Sequence, residues 1–364
     1  MSRRVGVSGA LAWLAALGVL AACEHAQPFG APDLGPNEPF STAFPRQLTF
    51  DQQSDLAPDW LPDGSGIIYS FPRGTPDGDR CLAILPAQGG RQTRVICHVP
   101  LQADADTTNA LWAPAVGPGG ALAYVREASL PGALAPSSRV LVVASLSSPD
   151  PGRVVLRFPF TASDGVLLGT AASLHWADAT TLYFLAEQIT YNTLASPVDT
   201  QVAPIEVVRV SLAGDSAAVA PVGGTQGVTS FVLAGSDSAF VTLPGDSALY
   251  ELSLSSGQRA VARVFHSVGA VIDGQHAGGR FFVVAGFSRG RGLGGSVYAL
   301  DAAPDTLIML NRQDFVWYQH AAVSPSGALV ATEGYSFTRQ YVCEGCPTDS
   351  IVGRVSTLWL LKGP

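Results

Sequence analysis

Five cysteines carry the clearest chemistry in this sequence of 364 residues. Cys81 and Cys97 stand at equal distances from Gly89, in the turn Ala-Gln-Gly-Gly-Arg between two β-prone segments. Residues at equal distances from the tip of a hairpin lie opposite each other on antiparallel strands, where two cysteine sulfurs can bond. The spacing therefore predicts a disulfide between Cys81 and Cys97, formed in an oxidising compartment.

The sequence Cys-Glu-Gly-Cys at Cys343 and Cys346 could be a redox pair, half of a zinc site or a loop disulfide. A redox pair normally lies at a helix N-terminus, and no helical pattern follows Cys346. Zinc would need two further ligands, and the chain has no second Cys-x-x-Cys. Haem attachment would need a histidine where Pro347 stands. We expect a structural disulfide, with redox chemistry and metal binding as the alternatives.

Three of the six histidines, His175, His276 and His320, are the candidate metal ligands. Imidazole binds several transition metals, but a site requires three or more ligands to converge. Whether these residues converge depends on the fold that positions them.

The rest of the chain offers little catalytic chemistry. It contains no Gly-x-Ser-x-Gly nucleophile elbow. The acid pairs Asp77 with Asp79 and Asp104 with Asp106 lack the spacing of an EF-hand, so we interpret them as solvated loop carboxylates. A formal net charge of −8 without a basic stripe argues against a nucleic-acid partner. No cofactor is predicted.

The elements that must position these residues form a repeat. Its clearest copy, DLAPDWLPDGSGIIYSF from Asp55 to Phe71, contains a Trp, a Pro-Asp-Gly turn and a run of β-formers. Related segments begin at Trp112, Leu174, Phe231, Val271 and His320. Units spaced roughly 40 to 60 residues apart are typical of propeller blades. The 39 glycines and 26 prolines also favour an all-β repeat protein.

The segments RQLTFD, DLAPDWLPDGSGIIYS and SPSGALVAT resemble the WD-like repeat of TolB-like β-propellers, in which a strand ending in Leu-Thr leads into a Trp-Ser-Pro-Asp-Gly turn. The resemblance covers most of the chain after residue 45. It implies a fold rather than a function, since similar propellers occur beside the hydrolase domain of prolyl oligopeptidase-like peptidases and alone in oligogalacturonate lyases. Between Cys23 and Arg46 the chain has no room for the N-terminal α/β domain of TolB.

We therefore predict that residues 45–364 form an all-β, six-bladed propeller of four-stranded antiparallel blades. The last blade ends with VSTLWLL, Val355 to Leu361, which leaves no room for its fourth strand. The β-prone segment from Gln47 to Phe50 has no partner in the first blade. We expect it to complete the last blade and close the ring, which protects strand edges.

In such a fold the inner strands line a central channel. Superposing the turns places His175 level with Asp59, and His320 level with Ala57. The residues near this level in two other units, Ala113 and Ser173, are poor metal ligands. We therefore expect core or surface histidines rather than a metal site. Trp60, Trp112 and Trp176 are expected at equivalent places, packed between blades.

Residues 1–22 have the pattern of a signal peptide. Arg3 and Arg4 precede the apolar segment from Val5 to Leu20, and Leu-Ala-Ala-Cys follows. This ending resembles the bacterial lipoprotein box, which implies that Cys23 is lipidated and becomes the first residue of the mature chain.

The residues after Cys23 indicate where the chain is anchored. Glu24 stands where an aspartate would resemble the inner-membrane retention signal, so we expect the periplasmic side of the outer membrane. Residues 23–44 are rich in proline and glycine and are predicted to be a flexible tether. The lipid would supply the contact with the membrane.

Three inserts that interrupt the repeat are the candidate interfaces: 185–206, 287–295 and 335–354. Long loops on a rigid scaffold are where binding residues concentrate. The candidate contact residues are Arg289, Arg291, Tyr335, Arg339 and Tyr341. The predicted function is a lipid-anchored binding or scaffold propeller for another envelope protein or a cell-wall component. The alternative is a channel-sited enzyme, such as an oligogalacturonate-like polysaccharide lyase with a histidine-bound metal.

Overall fold

A computed structural model describes most of the chain after residue 42. The described ranges are 43–49, 54–73, 79–99, 108–130, 136–158, 160–162, 166–192, 199–266, 268–286, 295–301, 307–311, 316–339 and 351–364. The predicted signal peptide, Cys23 and nearly all of the predicted tether lie outside them. None of the helical structure in these ranges is long and apolar enough to cross a membrane.

The described chain is built almost entirely from β-strands, with a short 3-10 turn at Pro118–Gly120. The strands are β1 Arg46–Gln47, β2 Leu56–Trp60, β3 Gly66–Pro72, β4 Arg80–Pro86, β5 Arg94–Ile96, β6 Thr108–Val116, β7 Ala121–Ser129, β8 Ser138–Ser145, β9 Ser148–Arg157, β10 Phe160–Ala162, β11 Val166–Trp176, β12 Thr181–Asn192, β13 Asp199–Ala213, β14 Ser216–Pro221, β15 Ser230–Leu233, β16 Ser238–Thr242, β17 Ala248–Ser253, β18 Arg259–Val264, β19 Ala270–Ala277, β20 Arg280–Gly286, β21 Ser296–Asp301, β22 Leu307–Met309, β23 Val316–Val323, β24 Leu329–Arg339 and β25 Ile351–Lys362.

These strands form an all-β propeller with four-stranded antiparallel blades. Consecutive strands pair as antiparallel meanders, which we number 1 to 6: β2–β5, β6–β9, β11–β14, β15–β18, β19–β22 and β23–β25. Meanders 1 and 2 belong to one sheet because a single parallel pair, Arg80 with Ala110, joins β4 to β6. The short β10 adds to the inner edge of meander 3.

The first strand pairs with the last one. Arg46 is opposite Leu360, and Gln47 is opposite Trp359. The Leu48 N–H then donates to the Leu358 carbonyl at 2.7 Å, and Leu48 is buried in the same apolar cluster as Leu358. The pairing thus begins one residue before the predicted segment, whose last residue, Phe50, lies outside the described ranges.

The apolar core lies between successive meanders. Leu182 packs with Leu141 of meander 2, whereas its neighbour Tyr183 packs with Phe231 of meander 4. Adjacent residues of a strand point to opposite faces of the sheet, and both faces of β12 are covered. This explains why its segment LYFLA, from Leu182 to Ala186, is an unbroken apolar run instead of an alternating one.

The two ends of the meanders differ. The first-to-second and third-to-fourth strand connections lie at one end, which we call the short-turn face; Gly64 and Gly327 adopt positive φ there, at 70° and 73°. The second-to-third strand connections and the links between meanders lie at the other end, which we call the long-loop face. The two faces are opposite because alternate strands run in opposite directions.

Candidate binding face and channel residues

The inner strands of meanders 1, 2, 3, 5 and 6 each contain a β-bulge. Ala57, Ala113 and Ser173 lie in three of these bulges with positive φ values of 51°, 44° and 49°. A bulge re-aims the side chain that follows it. The residues that follow are Asp59, Ala115, His175, Asp273 and Ala321.

The register confirms the predicted levels of the channel residues. His175 lies level with Asp59, as predicted. Val323 forms the last strand pair before the turn in meander 6, as Trp60 does in meander 1, so His320 lies level with Ala57, also as predicted.

The tryptophans are only partly equivalent. Trp60 and Trp176 both form the last strand pair before the turn, with Ile67 and Leu182. In meander 2 this place belongs to Val116, and Trp112 lies before the bulge. The predicted place of Trp112 was therefore wrong, although its packing between meanders was correct.

Polar side chains at the inner strands bind the backbone of neighbouring meanders. His175 Nε2 lies 2.9 Å from the Phe231 carbonyl oxygen. Asp273 Oδ2 accepts the Ala321 N–H at 2.8 Å and lies 3.4 Å from His320 Nδ1. These contacts hold adjacent meanders in register, so the side chains have a structural role.

Burial changes the protonation of two of these groups. It raises the pKa of the Asp59 carboxyl to about 7, although the Trp60 N–H bond and the charge of His320 oppose the shift. Asp59 is partly exposed as a residue, but its carboxyl group is buried. Burial lowers the pKa of His175 to about 4, which the hydrogen bond to Phe231 opposes. His175 is therefore neutral at pH 7, while the Asp59 carboxyl is only partly ionised there.

We expect Asp59→Asn to gain stability relative to the wild type as the pH rises. The folded pKa of Asp59, about 7, exceeds the ordinary value of 3.8. The folded state thus binds more protons between these values, so the contribution of Asp59 to stability is full below about pH 4 and is lost as the pH rises through 7. Asparagine has no such loss. Urea unfolding should be measured at several pH values from 4 to 8. The unfolding free energy of Asp59→Asn minus that of the wild type should become more positive as the pH rises.

The control for this prediction is Asp63→Asn. Asp63 is exposed in a turn, and hydrogen bonds from Ser65 lower its pKa. Its difference from the wild type should stay flat between pH 5 and 8. A flat profile for Asp59→Asn as well would show that Asp59 ionises normally.

A second polar group lies at the long-loop end of the inner strands. The Arg80 guanidinium stacks 4.4 Å from the Trp112 ring centroid and donates to the carbonyls of Ser54, at 2.7 Å, and Ser70, at 3.1 Å. Burial lowers the Arg80 pKa to about 10, against the charges of Asp55, Glu333 and Glu127. Arg80 therefore ties meander 1 to meander 2.

The three candidate metal ligands have different surroundings. His175 is fixed to Phe231, and His320 lies beside Asp273. His276 instead packs against the rings of Phe240, at 5.3 Å, and Phe281, at 4.9 Å. Within the described ranges, no group of three or more His, Cys, Asp or Glu residues is arranged to hold a metal ion.

The structure contains the predicted disulfide between Cys81 and Cys97, whose Cα atoms are 4.5 Å apart. It links β4 to the end of β5 at the long-loop face. The next residue, His98, pairs through Nδ1 with Asp150 of β9 at 2.5 Å, which connects the outer strands of meanders 1 and 2. Cys343 and Cys346 lie outside the described ranges.

The strand ends that flank the three predicted inserts share one face. The inserts connect β12 to β13, β20 to β21 and β24 to β25, each a second-to-third strand connection, so the described strand ends beside them all lie at the long-loop face. Tyr335 and Arg339 are in β24, and only their backbone is described. Arg289, Arg291 and Tyr341 lie outside the described ranges.

The insert at 185–206 is more regular than predicted. Its described residues continue β12 to Asn192 and begin β13 at Asp199, and the two strands stay paired. Exposed apolar side chains accompany this face. Val99, just after β5, is 71% exposed, and Leu130, just after β7, is 56% exposed. Exposed apolar residues beside long loops are typical of a binding surface.

No protein-family model and no curated protein matches the chain. Among solved structures, the crystal structure of the RRP9 WD40 repeats is 12% identical, with a TM-score of 0.46, over 91% of this chain and 100% of that one. The propeller domain of the Trilobed protease from Pyrococcus furiosus is 10% identical, with a TM-score of 0.43, over 85% and 96%. An oligogalacturonate lyase in complex with manganese is 12% identical, with a TM-score of 0.45, over 90% and 96%. None of these similarities bears on activity.

Proposed function

We propose that this protein is a lipid-anchored bacterial envelope protein whose long-loop face binds another envelope protein or a cell-wall component. One observation carries the proposal: the strand ends that flank the three inserts lie at the same face. The exposed Val99 and Leu130 lie there too. A rigid scaffold with long connections gathered at one end is suited to binding.

The scaffold itself we propose to be a TolB-like propeller of six blades in a closed ring. Each meander would be one blade, completed in meander 6 by β1. Support comes from hydrogen bonds between successive meanders that return to the first. They are Ser70 Oγ to Leu111 O, Trp176 Nε1 to Ala115 O, His175 Nε2 with Phe231 O, Val271 N to Asp246 O, Ala321 N to Asp273 Oδ2, and Ala57 N to Glu333 Oε1.

The anchor we propose is the lipid on Cys23, with residues 23–44 as tether and the periplasmic side of the outer membrane as location. The tether would join the propeller at the short-turn face, because β1 starts beside the end of β25 and Arg46 Nη1 donates to Gln88 O in the β4–β5 turn at 2.9 Å. The long-loop face is at the opposite end, which supports its pointing away from the lipid surface.

The proposal is tested in the native envelope. The lipidated protein should fractionate with membranes, and Cys23→Ala should release it to the soluble fraction, while Cys343→Ala, the control, should not. Reversible cross-linking in cells followed by purification should recover the same partner repeatedly, with no stoichiometric metal in the purified domain. Stoichiometric metal without a recovered partner would contradict the binding function and favour the lyase alternative.

A further inference from the structure

Meander 3 carries an arm at the long-loop face. We use the term arm for the parts of β12 and β13 beyond Ala186 and Glu206, which pair from Glu187 with Pro204 to Asn192 with Asp199. The outer strand β14 covers β13 only from Val208 to Ala213. The arm therefore extends past the strand that forms the rim of the blade.

Beyond β14, the described chain continues to hydrogen-bond the outer side of β13 as far as Ile205. The Val207 N–H donates to Thr225 Oγ1 at 3.0 Å, and the Gly227 N–H donates to the Ile205 carbonyl at 3.1 Å. For residues 199–204, the described part of the chain supplies a strand partner on the β12 side and none on the other. Backbone groups on such an edge can pair with an added strand.

The side chains of this edge do not protect it. Gln201, Val202 and Ala203 are exposed, and Val202 is 53% exposed. The sequence from Thr200 to Ile205, TQVAPI, contains no charge, and Pro204 is its single residue that discourages pairing. Two other outer strands are better protected: β5 contains Arg94, and β18 contains Arg259 and Arg263.

We propose that residues 200–203 of β13 bind an extended, uncharged segment of the partner by strand addition. The inference rests on the proposed function and names the kind of partner segment that the long-loop face accepts. Backbone hydrogen bonds would supply the affinity, and the exposed Val202 would select apolar side chains. The occupant would be uncharged because the edge offers no counter-charge to a charged strand, whereas the chain as a whole is acidic, with a net charge of −8. That acidity also disfavours a second copy of this chain.

The test places p-benzoylphenylalanine at position 201 of the full-length lipidated protein and irradiates cells. We expect an adduct whose partner peptide, sequenced by mass spectrometry, is an uncharged segment with alternating apolar residues. Val202→Lys should lower capture of that partner about ten-fold or more, since a charge on an edge strand blocks pairing. Val261→Lys is the matched control, because Val261 is 57% exposed on the outer strand β18.

The outcomes separate this inference from the proposed function. If the wild type captures a partner and Val202→Lys captures it equally, the strand-addition site is refuted and the binding function stands. An adduct to a second copy of this chain, or to a charged segment, also refutes it. If the wild type captures no partner from any position, the proposed function fails, and the inference fails with it.

Discussion

Replacing Trp60 by alanine should destabilise the protein by about 3–5 kcal/mol. Trp60 is 4% exposed, packs with Leu48 and Leu358, and donates its indole N–H to the Ala322 carbonyl at 2.8 Å. The substitution leaves a cavity and removes this hydrogen bond where the first and last meanders meet. Urea unfolding followed by circular dichroism should show a lower midpoint with an unchanged slope.

Two variants divide this effect into its causes. Trp60→Phe keeps most of the packing and should lose about 1 kcal/mol from the hydrogen bond. Trp176→Ala is the positional control, because Trp176 occupies the equivalent place but is only half-buried, with a longer bond of 3.3 Å to Ala115 O. It should cost less than Trp60→Ala. If Trp60→Ala cost no more than Trp176→Ala, the contact between the first and last meanders would not be a principal source of stability.

Removing the disulfide should cost about 3 kcal/mol, the loop-entropy value for a loop of about 15 residues. Cys81 and Cys97 are 16 residues apart, and Cys81 is fully buried. The double variant Cys81→Ala/Cys97→Ala should therefore unfold at a lower urea concentration than the oxidised wild type. Alanine is chosen because serine would bury an additional hydroxyl.

Reduction provides the internal comparison for this prediction. A thiol reductant should lower the stability of the wild type to near that of the double variant and leave the double variant unchanged. Cys343→Ala/Cys346→Ala should keep the reductant-sensitive loss, since it retains Cys81 and Cys97. Equal stability of the oxidised wild type and the double variant would show that the cross-link does not constrain the unfolded chain.

The propeller class and the covalent link could be predicted from the sequence because both depend on local patterns. A Pro-Asp-Gly turn fixes its own geometry, and symmetric spacing about Gly89 fixes which cysteines face each other. The same local patterns misplaced Trp112, because the place that Trp60 occupies before its turn belongs to Val116 in meander 2.

The polar contacts between blades could not be predicted in this way. Asp273 and Ala321 are far apart in the chain, and so are Glu333 and Ala57. Each pair forms because two blades pack against each other. The spacing of the sequence repeat contains no information about that packing. Asp59 offered one signal: it stands in an otherwise apolar approach to Trp60, where a carboxylate must find a partner or change its pKa.

The arm was missed for another reason. The residues from Leu185 to Glu206 break the rhythm of the repeat, so they were predicted to be a loop. In the structure, two strands simply continue beyond the blade and pair with each other. Length without a repeat signal does not distinguish a loop from a longer hairpin.

The most direct test of the central claim compares the two faces of the propeller in living cells. A photo-cross-linking residue at Leu130 reports on the long-loop face, and one at Asp178, in an exposed turn, reports on the short-turn face. We predict a reproducible adduct with one envelope protein or with cell-wall material from position 130 and none from position 178. Adducts from position 178 alone would contradict the account, because the partner would then bind the face that carries no inserts.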